Sequence, residues 1–201
     1  MHERTRARLR RATHPIHQEL HRHPLLRQLL QHDVGLQDAR DAAAVSYVVA
    51  LRLETARATA GVWEKLSLSG YVADLRTALG PAVPCGCAAD FPLGRHALLG
   101  GLYVMHGSAL GAAVIAKHIR AHLGDGAALL FPARDTDVWE AVLCALDQID
   151  AQGADDVEAG AMFVFKTYRE VADAWRDGTD FVGSAQFPAM DGSAVCGIAS
   201  G

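Results

Sequence analysis

Three histidines near the N-terminus have helical spacing. His17 and His21 are four residues apart and His14 precedes His17 by three, so a helix would place them on one side. A histidine in such a helix can be an axial ligand, because neutral imidazole binds haem iron. The same spacing also suits core histidines whose ring nitrogens are hydrogen-bonded within the protein.

A second segment, 100–115, combines an apolar helical pattern with glycines at positions 100, 101, 107 and 111. Glycine inside a helix costs about 0.5–1 kcal/mol relative to alanine, so this number of glycines needs a physical reason. Gly100, Gly107 and Gly111 share one helical face. That face predicts either close packing of another helix or a groove where a flat ligand meets the main chain and the helix can bend.

The elements that position these residues are predicted to be helices. Alanine and leucine dominate, β-branched alternation is scarce, and a chain of 201 residues that is 50% hydrophobic can bury one core. We predict an all-α protein with one helical domain over 1–176 and a flexible tail over 177–201, where Gly, Ser and Ala are frequent. We predict that 3–12 form a first helix or the segment that leads into it, and that 15–31 form a helix interrupted near Pro24. Residues 36–68 are predicted to form one long or broken helix. Further helices are predicted over 70–79, 95–123, about 135–150 and 155–176.

Particular residues are expected to begin or interrupt these helices. Pro15 suits the first turn of a helix, with Thr13 or His14 as its cap. Asp135 or Thr136 is expected to cap the next helix, Gln152-Gly153 to end it, and Asp155 or Asp156 to start the last one.

Composition argues against several classes of protein. The formal net charge of −4 disfavours a nucleic-acid partner. The first 27 residues are too charged for a secretory signal, and no segment is expected to span a membrane. The four cysteines lack zinc-site spacing, which predicts reduced thiols in a cytoplasmic protein, with Cys144 buried. No long apolar stripe is left over, which predicts a monomer.

Charge is unevenly distributed along the chain. Arginines crowd the first 27 residues, whereas carboxylates crowd the segment 135–158. The arginine run indicates either a solvated helix face or a basic rim that binds anionic groups or an acidic protein.

Together these segments resemble the haem oxygenase family, above all its small bacterial members of the type associated with bacteriophytochromes. The resemblance covers about residues 5–175, and it rests on three motifs in the expected order: Ala12-Thr13-His14-Pro15-Ile16-His17, Asp74-Leu75-Arg76-Thr77-Ala78-Leu79-Gly80, and Leu102-Tyr103-Val104 followed by Gly107-Ser108-Ala109-Leu110-Gly111. It implies a multihelical fold with a kinked, glycine-bearing distal helix. It also implies that His17 is the proximal iron ligand, that Gly107, Ser108 and Gly111 form the catalytic distal surface, and that Arg10 binds a haem propionate.

The activity implied by the resemblance is the oxidative opening of haem to biliverdin, CO and ferrous iron. Haem is then both substrate and cofactor, O2 is the oxidant, and a ferredoxin or flavin reductase supplies electrons. Two positions depart from the pattern of many members. Ser108 stands where animal members have an aspartate, and Ala112 stands where a second glycine is frequent.

Two other histidines and two other functions stay open at this point. His106 is expected at the surface, with a second iron ligand as its alternative, and His21 raises the same alternative. A non-catalytic haem-binding or haem-transfer protein of the same fold would follow from a second histidine ligand. A thiaminase-like enzyme would need a cysteine nucleophile beside a carboxylate, for which Cys144 near Asp147 is the candidate.

Overall fold

The computed structural model describes residues 5–82, 91–133 and 135–178, and this part of the chain is helical with no strand. The all-α prediction is therefore confirmed. Two 3₁₀ turns, Glu64–Leu66 and Gly80–Ala82, accompany the α-helices. The α-helices are α1 (Thr5–Arg22), α2 (Pro24–Gln28), α3 (Leu36–Ala60), α4 (Ser69–Leu79), α5 (Arg95–Leu123), α6 (Asp125–Ala128), α7 (Thr136–Asp147) and α8 (Ala151–Asp177).

The first helix is longer than predicted. α1 passes through Pro15 without ending, so the prediction that Pro15 begins a helix is wrong. Proline removes one main-chain hydrogen bond. The buried side chains of α1 nevertheless recur every three or four residues on both sides of Pro15, and this continuous apolar stripe offsets the loss: Leu9, Thr13, Ile16 and Leu20. The predicted interruption near Pro24 is confirmed, because Pro24 is the first residue of α2.

Glycines and aspartates set other helix bounds. α3 ends before the predicted 68, because Gly61 adopts a left-handed conformation with φ of 62°. Asp135 caps α7 as predicted. The predicted break at Gln152-Gly153 and the predicted start of the last helix at Asp155 or Asp156 are wrong, since α8 begins at Ala151 with Asp150 as its cap. Gly153 is instead a packing residue, because a Cβ there would lie 2.8 Å from Nδ1 of His96 on α5.

The central contact of the fold joins α5 and α8 main chain to main chain. A Cβ on Gly100 would collide with the carbonyl oxygen of Val157, and a Cβ on Gly160 would collide with the carbonyl oxygen of Ala97. Each helix thus presents a glycine to the backbone of the other. For Gly100 the close-packing interpretation is correct. α5 also packs against α3, α6 and α7, so it lies at the centre of the hydrophobic core.

By length and composition α5 could cross a membrane, contrary to the expectation from the sequence. An 18-residue window of this helix has a mean hydropathy of 1.6, and half of that window is buried inside the protein. The contacts with α3, α7 and α8 account for the apolar composition.

Ion pairs attach α1 to the C-terminal helices. Arg6 pairs with Asp147 on α7, and Arg8 pairs with Asp155 and Glu158 on α8, with 2.8 Å between Arg8 Nε and Glu158 Oε2. The arginine-rich and carboxylate-rich segments therefore meet. Arg6 and Arg8 stay partly exposed, as a solvated helix face requires, and their partners are carboxylates of α7 and α8.

A buried carboxylate holds the loop after α3. Glu54 accepts hydrogen bonds from Arg57, from the hydroxyl of Ser67 at 2.7 Å and from the main-chain N–H of Leu68 at 2.8 Å. Burial opposes ionisation of Glu54, but these hydrogen bonds outweigh it and lower the pKa of the carboxyl group. The loop is thereby fixed beside α5.

The cysteine predictions have different outcomes. Cys144 is a free thiol, but it is exposed, so the prediction that it is buried is wrong. Val142 and Leu146 occupy the core face of α7, and Cys144 lies on the opposite side of that helix. Cys85, Cys87 and Cys196 lie outside the described residues, as does most of the predicted tail, 179–201.

Two glycines on α5 should respond oppositely to the same substitution. Gly100→Ala should lower the free energy of unfolding by about 3 kcal/mol or more, because the added methyl overlaps the α8 backbone. Gly111→Ala should raise it by roughly 0.5–1 kcal/mol, because nothing lies within 4 Å of the added Cβ and alanine favours the helix. Denaturant unfolding measures both effects. Equal tolerance of the two substitutions would contradict the proposed α5–α8 contact.

Candidate functional site

The residues of the candidate site lie on two helices that share neighbours. α1 and α5 each pack against α7 and α8, and among the described residues they are not closely packed against each other. α1 carries Arg10 and His17, and α5 carries Gly107, Ser108 and Gly111. All five candidates lie on helices, but the sequence placed Arg10 and His17 in separate segments, 3–12 and 15–31, whereas both lie on the single helix α1.

His17 is an exposed residue whose ring is partly covered by two neighbours. The ring of Phe165, on α8, lies 5.8 Å from it between centroids, and the ring of His21 lies 4.4 Å away, nearly perpendicular. Burial lowers the pKa of His17, and the nearby His21 and His14 lower it further. The neutral imidazole, which is the form that binds iron, is therefore favoured.

His21 lies beside His17 on the same helix. The two Nε2 atoms are 3.2 Å apart, which is a hydrogen-bond distance. Because both rings project from one side of α1, they could not bind opposite faces of one haem. The alternative in which His21 is the second ligand of the same iron is therefore disfavoured by its position.

His106 is buried, so the prediction that it lies at the surface is wrong. Its Nε2 is 3.1 Å from the carbonyl oxygen of Leu66, in the loop that Glu54 holds. That nitrogen is engaged and is directed at the loop after α3. The contact joins residues 40 positions apart, which no local pattern reveals.

The two distal glycines have different surroundings. A Cβ on Gly107 would meet the ring of Trp139 at 3.8 Å, which is ordinary van der Waals contact. Among the residues that the structure describes, none has an atom within 4 Å of a Cβ built on Gly111. The main chain at Gly111 is therefore accessible to a ligand. α5 is a continuous helix across both glycines, and the kink stays a prediction.

Ser108 is exposed and its hydroxyl group donates a hydrogen bond to the carbonyl oxygen of Met105 at 2.8 Å. A hydroxyl has one proton to donate. With that proton directed into its own helix, Ser108 can act on a bound water or ligand only as an acceptor. This differs from a carboxylate, which accepts at two oxygens and also carries charge.

Arg10 and Tyr103 connect the two helices at one end of the candidate site. Burial raises the pKa of Tyr103, and the positive charge of Arg10 partly offsets that rise, so the guanidinium lies near the phenol. The ring centroids of Tyr103 and Trp139 lie 5.6 Å apart. The ring of Trp139 would be 3.8 Å from a Cβ built on Gly107. The phenol and the indole therefore lie side by side one turn before the first distal glycine.

Other aromatic residues pack against the core. Phe163 packs edge-on against Phe91, with 5.1 Å between ring centroids, and the hydroxyl of Tyr168 is 2.6 Å from that of Ser46. Phe165 contacts the ring of His17, and Trp139 would contact a Cβ built on Gly107.

The sequence was compared with protein-family models and with curated proteins. No protein-family model matches the chain, and the search of curated proteins gives no significant match.

The titration of His17 can be measured in the haem-free protein. We expect its NMR titration midpoint to lie below 6.5, because burial and two neighbouring histidines disfavour the cation. Since the unfolded chain binds the proton more tightly, the free energy of unfolding decreases as the pH falls from 6.5 through the lower pKa of folded His17. His21→Ala should raise the midpoint partway, while His118→Ala, a substitution on α5, should leave it unchanged. A wild-type midpoint at or above 6.5 would contradict this description of the site.

Proposed function

We propose that this protein is a haem oxygenase, which opens haem to biliverdin, CO and ferrous iron with O2 and external electrons. Two features carry the proposal, and they lie on two helices that both pack against α7 and α8. His17 on α1 favours a neutral imidazole, and α5 offers accessible main chain at Gly111. The motifs containing these residues occur in the order of the family that the sequence resembles.

The described residues fit haem by their chemistry. His17 would hold the iron through its imidazole, and Phe165 makes an edge contact with that ring. Beside Gly111, the α5 surface is apolar and uncovered, with Val114 62% exposed, which suits the face of a porphyrin. Arg10 is the candidate for pairing with a propionate, since its charge stands exposed at the Tyr103 end of the site.

The roles of the chain follow from these positions. When bound, haem supplies the iron that activates O2 and the ring carbon that is oxidised. His17 fixes the proximal side. Gly107 and Gly111 have no side chains, so the helix main chain itself would line the distal side. It would limit where a small ligand on that side can lie. Ser108 can accept a hydrogen bond from a water molecule there.

The alternatives receive less support from the contacts. A six-coordinate haem carrier needs a second histidine, yet His106 is engaged with Leu66 and His21 lies on the side of His17. A thiaminase-like enzyme needs a carboxylate beside Cys144, yet Asp147 pairs with Arg6. Within the proposal, the protein acts as a cytoplasmic monomer with a ferredoxin or flavin reductase as electron donor, without nucleic-acid or membrane partners.

Turnover of added haem tests the proposal. We expect the purified protein to bind haem with a characteristic absorption band and, with a reductant and O2, to form biliverdin and CO. His17→Ala should abolish the normal spectrum. Gly111→Leu should slow biliverdin formation by about tenfold or more, because its side chain occupies the distal surface. Haem binding without ring opening would instead favour the haem-transfer protein.

The matched control for Gly111→Leu is Gly70→Leu on α4. Gly70 is also exposed in a helix with nothing within 4 Å of an added Cβ. It lies outside the candidate site, so this variant should turn over haem at the wild-type rate. An equal loss in both leucine variants would contradict a distal role for Gly111.

A further inference from the structure

The two neighbouring histidines on α1 form an arrangement that haem binding does not use. Haem iron takes one imidazole nitrogen on its proximal side, whereas this chain places a second, His21 Nε2, 3.2 Å from His17 Nε2. Both residues are exposed, so a small solute can reach the pair. Histidines four residues apart on a helix project from the same side and can act together.

The separation of the two nitrogens suits a shared metal ion. With zinc–nitrogen bonds of about 2.0–2.1 Å and tetrahedral angles, two histidine nitrogens on one ion lie roughly 3.3–3.4 Å apart. The observed 3.2 Å requires only a small rotation of the rings. In the hydrogen-bonded pair one Nε2 carries a proton, and this proton must move to Nδ1 so that both Nε2 lone pairs can face the ion.

A second histidine pair on α5 shows that spacing alone does not create this geometry. His118 and His122 are also four residues apart, but their rings are stacked 4.1 Å apart at an angle of 30°. Nε2 of His118 is 3.0 Å from the carbonyl oxygen of Gln31, and Nδ1 of His122 is 2.9 Å from the carbonyl oxygen of His118. Lone pairs on stacked rings run side by side, so they do not converge on one ion.

We infer that His17 and His21 together bind a divalent first-row transition-metal ion of the zinc class in the haem-free protein. Imidazole suits zinc, nickel and copper. The part of the chain that the structure describes contains no group of three or more metal-binding side chains, so water completes the coordination. Because the ion would occupy His17 Nε2, it would exclude haem from the same nitrogen. This competition, unlike the metal site itself, rests on the proposed function.

Zinc titration of the full-length, untagged, haem-free protein tests the inference. Isothermal titration calorimetry should give one zinc ion per chain. His17→Ala and His21→Ala should each weaken zinc binding by about tenfold or more, since one of two protein ligands is lost. His118→Ala, the matched control from the second pair, should bind zinc like the wild type. Circular dichroism should show an unchanged helical fold in all variants, because alanine favours exposed helix positions.

The haem measurements distinguish this site from the proposed function. His21→Ala should weaken zinc binding but keep haem binding, whereas His17→Ala should weaken zinc binding and lose haem binding. The inference is overturned if the wild type binds no zinc, if His21→Ala binds it as tightly as the wild type, or if His118→Ala weakens it equally. If zinc binding depends on both α1 histidines but the wild type binds no haem, the metal site stands and the haem oxygenase proposal fails.

Discussion

α5 and α8 approach each other main chain to main chain, and this contact positions the helices that carry the candidate site. Gly100 and Gly160 each leave no room for a Cβ against the opposite helix, so the position of one helix fixes that of the other. α8 carries Phe165 against His17, and α5 carries the distal glycines. α1 is attached to the same frame through the ion pairs of Arg6 and Arg8. Both sides of the candidate site are thereby positioned by one close helix pair.

One helix uses its glycines for two different purposes. At Gly100 the missing side chain lets a neighbouring helix approach, and at Gly111 it leaves the main chain uncovered. The sequence offered these two uses as competing interpretations of one glycine face. The structure assigns each to a different part of α5, because α8 packs along the N-terminal part and the middle of the helix faces less protein. The helix thus combines a rigid attachment with an accessible surface.

The sequence predicted what depends on local pattern. The bounds of α5, the cap at Asp135 and the placement of His17 and Gly111 on helices all follow from spacing, capping and glycine position. It failed where tertiary packing decides: α1 continues through Pro15, Gly153 packs on His96, and Cys144 faces outward. Contacts between distant segments were also out of reach. His106 meets Leu66 across 40 residues, and Arg8 meets Glu158 across 150, so no local window contains both partners.

We propose that α1 and α5 hold haem between the His17 imidazole and the main chain at Gly107 and Gly111. A crystal structure of the purified protein with haem tests this arrangement. We expect an iron–nitrogen bond to His17 Nε2 on one face of the ring and the α5 main chain over the other. Iron bound to a different residue, or a haem that lies away from Gly111, would contradict the proposal.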